Sequence, residues 1–475
     1  MSKKSIGLLM VILGILAFHL LGSQPETAAL WSASLDEKVY SDPIEVAGRF
    51  VLLGGNKGKR YYHLFEVDKN GKMAAKSVKL PVLPYQPIPF ADKVVVVDKS
   101  NMVRGFAVPG LNLEWESGTM KPIALEPQKL DENTFLISSG RHGLYCLNAD
   151  TGKPEWDYQF TKTLVDFAAD EVLICITGYT DVENPAWKIS GHSVLTGQEM
   201  WTLDEKVSGD KPVFAQGFCL TTTDEGQLLV LEQSSGRVVY RHSAKGLKVS
   251  QILGDHVLLL AAGGSRIVCL SLMTGQSWTT TMNSSLTGAA RYGDKLILVN
   301  KSRMRCVDIA NGGLHWNRSL NDVYNAFPFK KGIFITHKDS FFDRTTYGSY
   351  FSVDSGTPVW TSYGRSIFRR PLITRYGDLV ATYRGTVKMI PTKTTTDPHA
   401  QQSRSISQKA DPENKIIFFD QKDKDETKKA SEADGMATKT KEIDAGEKSQ
   451  KEDKSQIDDP IKTNLEIEDT GWVSD

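Results

Sequence analysis

The sequence predicts an all-β fold: a single β-propeller of eight or nine four-stranded antiparallel blades, the last closed by N- and C-terminal strands. Three observations predict it. A strand ending in a glycine-bearing polar turn and then an aromatic residue recurs along the chain. A second marker, a short polar turn running into an apolar strand, keeps the same beat. The two ends of the repeat region each supply only part of a blade.

The clearest copy of the first marker is "LYCLNADTGKPEW" (Leu144–Trp156). It returns as "GHSVLTGQEMW" to Trp201, "LLVLEQSSGRVVY" to Tyr240 and "IVCLSLMTGQSW" to Trp278. Further copies are "MRCVDIANGGLHW" to Trp316 and "YFSVDSGTPVW" to Trp360, with looser ones at His63–Ala75 and Gly105–Trp115. From Trp115 the aromatic steps forward by 41, 45, 39, 38, 38 and 44 residues. The turn glycines are Gly152, Gly197, Gly236, Gly275, Gly312 and Gly356. A glycine there supplies the positive φ of a tight hairpin, and the neighbouring Asx, Ser or Thr bonds to local backbone. The second marker is plainest at "ADKVVVV" (Ala91), "ADEVLIC" (Ala169), "GDHVLLL" (Gly254), "GDKLILV" (Gly293) and "GDLVATY" (Gly377).

Each unit thus holds about four short strands rich in β-branched and aromatic residues. Such a sheet cannot bury both faces alone. Radial stacking at a period of roughly 40–45 residues makes a propeller, whereas a linear stack leaves open edges. The recurrent tryptophan belongs on the outermost strand, in the wedge between blades. "ALWSASL" (Ala29–Leu35, with Trp31) reads as an outermost strand lacking its first three. Arg369–Lys393 reads as three strands lacking a fourth. Joined, they latch the ring.

Three segments follow. Residues 1–28 carry Lys3 and Lys4 before the apolar run Ile6–Leu21, a signal peptide or an N-terminal membrane anchor. In either case the body is extracytoplasmic: periplasmic or at the outer face of the membrane, anchored or secreted. Residues 29–393 are the propeller. Residues 394–475 form a low-complexity charged tail, read as disordered. Lys+Arg and Asp+Glu both number 57 in the whole chain, which gives no nucleic-acid signature. The tail alone has 13 basic and 20 acidic residues, a net of −7, so the rest is mildly basic.

The five cysteines are Cys146, Cys175, Cys219, Cys269 and Cys306; none are adjacent and no CxxC occurs, so neither zinc nor a thioredoxin-type site is indicated. Cys146, Cys269 and Cys306 share one repeat position and read as small buried residues. The histidines show no HxH or HxxxH pairing.

The repeated string resembles the PQQ-like, or quinoprotein-type, repeat over about residues 29–393. That family includes quinone dehydrogenases. It also includes non-catalytic propellers such as the scaffold lipoprotein of the outer-membrane β-barrel assembly machinery. The split blade and the body length resemble the second kind. The resemblance implies that a quinone enzyme would hold pyrroloquinoline quinone with adjacent cysteines, calcium-binding carboxylates and an aspartate base. No position here matches them, so no catalytic, cofactor-binding or metal residue is assigned. The lipid-attachment cysteine of the scaffold kind is missing too.

The expected function is a monomeric, non-catalytic scaffold with envelope protein partners. The alternatives are a quinone- or redox-ligand-binding oxidoreductase using the central funnel, and a glycan-binding propeller. Partner contacts are expected where the repeats differ. Three connections between second and third strands read as enlarged: Gly54–Tyr62, Thr177–His192 and Thr336–Tyr350. They carry Lys57, Lys59, Arg60, Trp187, Phe341, Phe342 and Arg344, cations interleaved with aromatics. Two apolar islands in the tail, with Phe418, Phe419 and Trp472, complete the candidate surface.

Overall fold

In the computed structural model the described residues are 26–392, except positions 100, 120, 179–186, 204, 208–211, 216, 262 and 339–344. The chain divides into a unit Met1–Phe419 and a unit Asp420–Asp475, and every described residue belongs to the first. The N-terminal segment, the loop residues Phe341, Phe342 and Arg344, and the tail islands lie outside the described residues.

Nine antiparallel sheets follow one another along the described chain. In each blade the strands run a, b, c, d from the ring axis outward. Blade 1 spans Lys38–Lys76, blade 2 Ile88–Gly118, blade 3 Gln128–Gln159 and blade 4 Thr163–Thr202. Blade 5 spans Val213–Ser243, blade 6 Leu247–Thr281, blade 7 Leu286–Ser319 and blade 8 Asn321–Gly364. Blade 9 takes its a, b and c strands from Leu372–Ile390 and its d strand, Trp31–Ser34, from the other end of the chain. The count is therefore nine, the upper of the two values the sequence allowed. Blade 1 carries a fifth strand because Lys38–Val39 and Ile44–Val46 both pair with Arg49–Asn56, splitting the a strand in two.

The ring closes. Nine separate hydrophobic clusters occupy the blade interfaces, one between each blade and the next. The ninth joins blade 8 to blade 9 through Phe334, Trp360, Phe368 and Val380, and another joins blade 9 to blade 1 through Met389, Val39 and Phe50. An open stack of nine sheets would have one interface fewer. The b and c strands carry this burial on both faces: Lys295–Asn300 and Lys93–Val97 are almost wholly buried. Most d strands alternate exposed and half-buried, as a sheet edge facing water on one side must, whereas the centre of the blade 8 d strand is buried.

The turns sort onto two faces. The a–b and c–d turns share one face; the b–c turns and the connections from d to the next a share the other. Glu26 and Thr27 run beside the d strand of blade 8, where the Thr27 amide donates to the Thr361 carbonyl at 2.8 Å. The Glu26 carboxylate accepts from the Tyr363 amide at 3.3 Å and from Lys388 Nζ at 2.7 Å. The N-terminal chain thus straps blade 8 before completing blade 9.

Candidate functional site

The repeated aromatics hold neighbouring blades together. On six d strands the indole N–H of a tryptophan reaches into the c–d turn of the following blade. Trp31 donates to the Lys69 carbonyl, Trp115 to Ala149 and Trp156 to Val194, at 2.8–3.0 Å. Trp201 donates to Gln233, Trp278 to Ile309 and Trp316 to Val353, at 2.7–2.8 Å. The ring lies on the turn glycine. A Cβ on Gly152, Gly197, Gly236, Gly312 or Gly356 would stand less than 3.0 Å from the indole of the preceding blade. Gly275 faces Tyr240 in the same way, at 3.1 Å from its hydroxyl. These glycines also sit at positive φ, +66° for Gly152 and +76° for Gly312, so two independent constraints select glycine. The polar residues of the turn serve the backbone: Asn148 Oδ1 accepts the amides of Asp150 and Thr151, and Asp308 Oδ1 those of Ala310 and Asn311.

The repeat cysteines lie beneath the same aromatics. Cys146 is the register partner of Trp156, Cys269 of Trp278 and Cys306 of Trp316. Gly105 and Gly191 take this position in blades 2 and 4, where the space under the indole admits no Cβ. All five cysteines are free and buried. Burial pushes the thiols of Cys146 and Cys306 up to about 11 and that of Cys269 to about 12, so they stay protonated and unreactive. Among the described residues no group of three or more His, Cys, Asp and Glu converges on a point.

Two interfaces depart from the rule, and they flank the closure. Blade 9 has no c–d hairpin, because its d strand comes from the N-terminus. Trp360 therefore has no turn carbonyl ahead of it, and its indole N–H donates to Asp378 Oδ2 at 3.0 Å. The same fully buried carboxylate holds Lys330 Nζ at 2.6 Å. Burial pushes the Asp378 carboxyl above its ordinary range, against the opposing pull of Lys330 and Trp360. The sequence placed this aspartate in a "GD" turn. The turn is instead Arg375–Tyr376, and Asp378 is a strand residue paired with Ile390. At the interface of blades 1 and 2 the aromatic is missing and Ala75 packs in its place. There the buried Glu66 accepts the Gly110 amide of the next turn at 2.7 Å.

The first candidate surface is well ordered by its own contacts. Gly54–Tyr62 is no enlarged loop: strand continues to Asn56 and resumes at Tyr61, leaving a four-residue turn. Asn56 Oδ1 accepts the Lys59 amide at 3.1 Å, and the Tyr40 hydroxyl accepts the Lys57 amide at 3.3 Å. Lys57, Lys59 and Arg60 all project into solvent from this turn. Beside it, a shallow cleft of about 400 Å³ is lined by Asp36, Glu37, Lys38, Asn56, Tyr61 and Arg384, at the seam of blades 9 and 1. Lys38 lies over the Tyr383 ring at 5.1 Å and Lys79 over Tyr61 at 5.2 Å. Trp187 is elsewhere: it opens the c strand of blade 4, half-buried, in the cluster between blades 4 and 5.

With this geometry in view, the comparisons with known proteins are specific in extent. A family described as "Outer membrane protein assembly factor BamB" matches residues 186–327, from the c strand of blade 4 into the a strand of blade 8. Over residues 186–327 the repeat is thus similar to that of this family. No curated protein matches the sequence. Among solved structures, BamB from Moraxella catarrhalis is 15% identical, with a TM-score of 0.45 over 64% of this chain and 95% of that one. The computationally designed Ika8 protein is 14% identical, with a TM-score of 0.46 over 65% and 96%. The quinohemoprotein alcohol dehydrogenase of Comamonas testosteroni is 11% identical, with a TM-score of 0.44 over 66% and 72%.

Proposed function

We propose that this protein is a non-catalytic interaction scaffold of the cell envelope, exported and presenting partner-binding surfaces on its turn faces and tail. One observation carries the reading. The side chains that the repeats share are committed to joining blades, while side chains they do not share, such as Lys57, Lys59 and Arg60, stand exposed on a fixed turn. The match of residues 186–327 to a family described as an outer-membrane assembly factor supports it. Partners are then proteins of that compartment, and the funnel needs no cofactor. Crosslinking in the native envelope, with the full chain and with a chain lacking residues 394–475, tests this reading. Discrete crosslinked protein partners are expected. A stoichiometric quinone spectrum with dye-linked substrate oxidation, after incubation with pyrroloquinoline quinone and calcium, would overturn it.

A further inference from the structure

The two faces of the ring differ in charge, and the difference is concentrated in four neighbouring blades. In blades 9, 1, 2 and 3 one face is formed by connections 35–37, 57–60, 77–87, 98–101, 119–127, 140–142, 160–162, 365–371 and 382–385. These carry 12 Lys and Arg against four Asp and Glu. The opposite turns of the same blades carry four against five. Two of the four acids on the basic face are already neutralised, Glu37 by Lys76 at 2.8 Å and Asp98 by Arg104 at 3.1 Å. Lys57, Lys59, Arg60, Arg365, Arg370 and Arg384 are all exposed there, with the apolar Val78 and Ile367 exposed among them.

The N-terminal chain comes from this same face. Thr27 pairs with Thr361 and Glu26 with Tyr363, and from Thr361 to Gly364 the strand runs toward the basic side. Glu26, the first described residue, therefore stands at the basic side of the strap. The apolar run Ile6–Leu21 is separated from Glu26 by Gly22–Pro25 alone, four residues that reach at most about 14 Å. On the other face, Ile390 ends the c strand of blade 9 as the register partner of Asp378.

We propose that the basic sector rests on the anionic headgroups of a lipid bilayer, with Ile6–Leu21 inserted in the same bilayer as an anchor. One apolar segment and one polybasic surface then act together, each reinforcing the other through the short linker. The strap agrees with retention of the anchor, because removal of Glu26 and Thr27 by cleavage near Ala29 would break the bonds to blade 8. This assignment stands apart from the scaffold reading.

The ring is complete between Glu26 and Thr392, so a chain of residues 26–475 separates the charged face from the apolar segment. Its flotation with vesicles of phosphatidylcholine, with and without phosphatidylglycerol, is the test. Binding is expected only with phosphatidylglycerol, and it should fall as salt rises. The triple variant Lys57→Gln, Lys59→Gln, Arg384→Gln should bind roughly a hundredfold more weakly, at about fivefold per charge. The triple variant Lys69→Gln, Lys72→Gln, Arg375→Gln, on the other face, should bind as the parent does. Thermal unfolding of both variants confirms that the ring is intact. Equal binding to phosphatidylcholine alone, or equal loss in the two variants, overturns the proposal. So does binding that appears only after residues 394–475 are removed, which would make the tail the occupant of the basic face.

Discussion

The interfaces between blades 2 and 8 and those around the closure join sheets by different chemistry. In the first group, apart from Tyr240 between blades 5 and 6, an indole finds a main-chain carbonyl and a glycine in the next turn, as Trp31 also does between blades 9 and 1. The sequence needs to keep only an aromatic and a glycine at fixed spacing, and the repeat stays visible. At the closure the chain ends leave no c–d hairpin in blade 9. The acceptor becomes a side chain, Asp378, and a second side chain, Glu66, serves the interface of blades 1 and 2. A main-chain acceptor is indifferent to composition and pH, whereas the buried Asp378 carboxylate is sensitive to both.

The largest effect should come from opening the seam. A chain beginning at Leu35 loses the d strand of blade 9, the Trp31 contacts with Lys69 and Gly71, and the strap on blade 8. Loss of the tryptophan alone is worth about 3–5 kcal/mol. We therefore expect a destabilisation above about 5 kcal/mol in urea unfolding, with self-association through the bared c strand in size-exclusion chromatography. A truncated chain that stays monomeric, with an unchanged urea midpoint, would show that the latch does not hold the ring.

Next come single aromatics. Trp316→Ala should cost about 3–5 kcal/mol, since the ring is half-buried between blades. Trp360→Ala should cost at least as much: Trp360 is 3% exposed, packed by Phe329, Phe334 and Tyr350, and its loss strips a partner from Asp378. Equal urea midpoints for the parent and Trp360→Ala would refute the importance of the aromatic cluster at the closure.

The regular interfaces were legible because one physical requirement repeats. A ring between blades needs a flat, Cβ-free floor, and that fixes both Trp278 and Gly312 in the sequence. The cysteines were legible for the same reason, as small residues under the aromatic. The split ninth blade was legible from its missing strands. Asp378 was not, because "GDLVATY" looks like the turn marker "GDHVLLL", and only the two-residue displacement of the Arg375–Tyr376 turn moves the aspartate into a strand. The basic sector was legible only in part. Lys57, Lys59 and Arg60 stand together in one turn and Arg365, Arg369 and Arg370 in one connection, but the remaining charges are scattered in sequence and converge only when the ring closes.

A glycine pair separates backbone strain from contact with the indole. Gly312 (φ +76°) and Gly293 (φ +60°) share the left-handed region, but a Cβ meets Trp278 at Gly312 and nothing within 4 Å at Gly293. Gly293→Ala should cost about 1–2 kcal/mol from conformation alone. Gly312→Ala adds displacement of the ring, for a total of about 2–4 kcal/mol. Urea midpoints decide this, and equal shifts in the two variants would remove the floor role from the repeat glycines.

The smallest effect is a pH slope confined to the closure. Burial raises the Asp378 carboxyl above the ordinary aspartate value of 3.8, so folding favours its protonated form. Its contribution to stability is fully present below 3.8 and is lost as pH rises through the folded value. Asp378→Asn keeps an acceptor for Trp360 but has no proton to bind, so its stability lacks this slope. The stability of the parent relative to Asp378→Asn should therefore rise as pH falls toward 3.8. The difference between the parent and Trp316→Phe should stay flat over the same range, because the Val353 carbonyl does not titrate. Asp131 and Asp255, whose carboxyls are held low by their own partners, are common to all three chains and cancel in both differences. Urea unfolding over a pH series reads both gaps at once. A flat gap for Asp378→Asn, or an equal slope at Trp316, would mean that the closure is no more pH-linked than the rest of the ring.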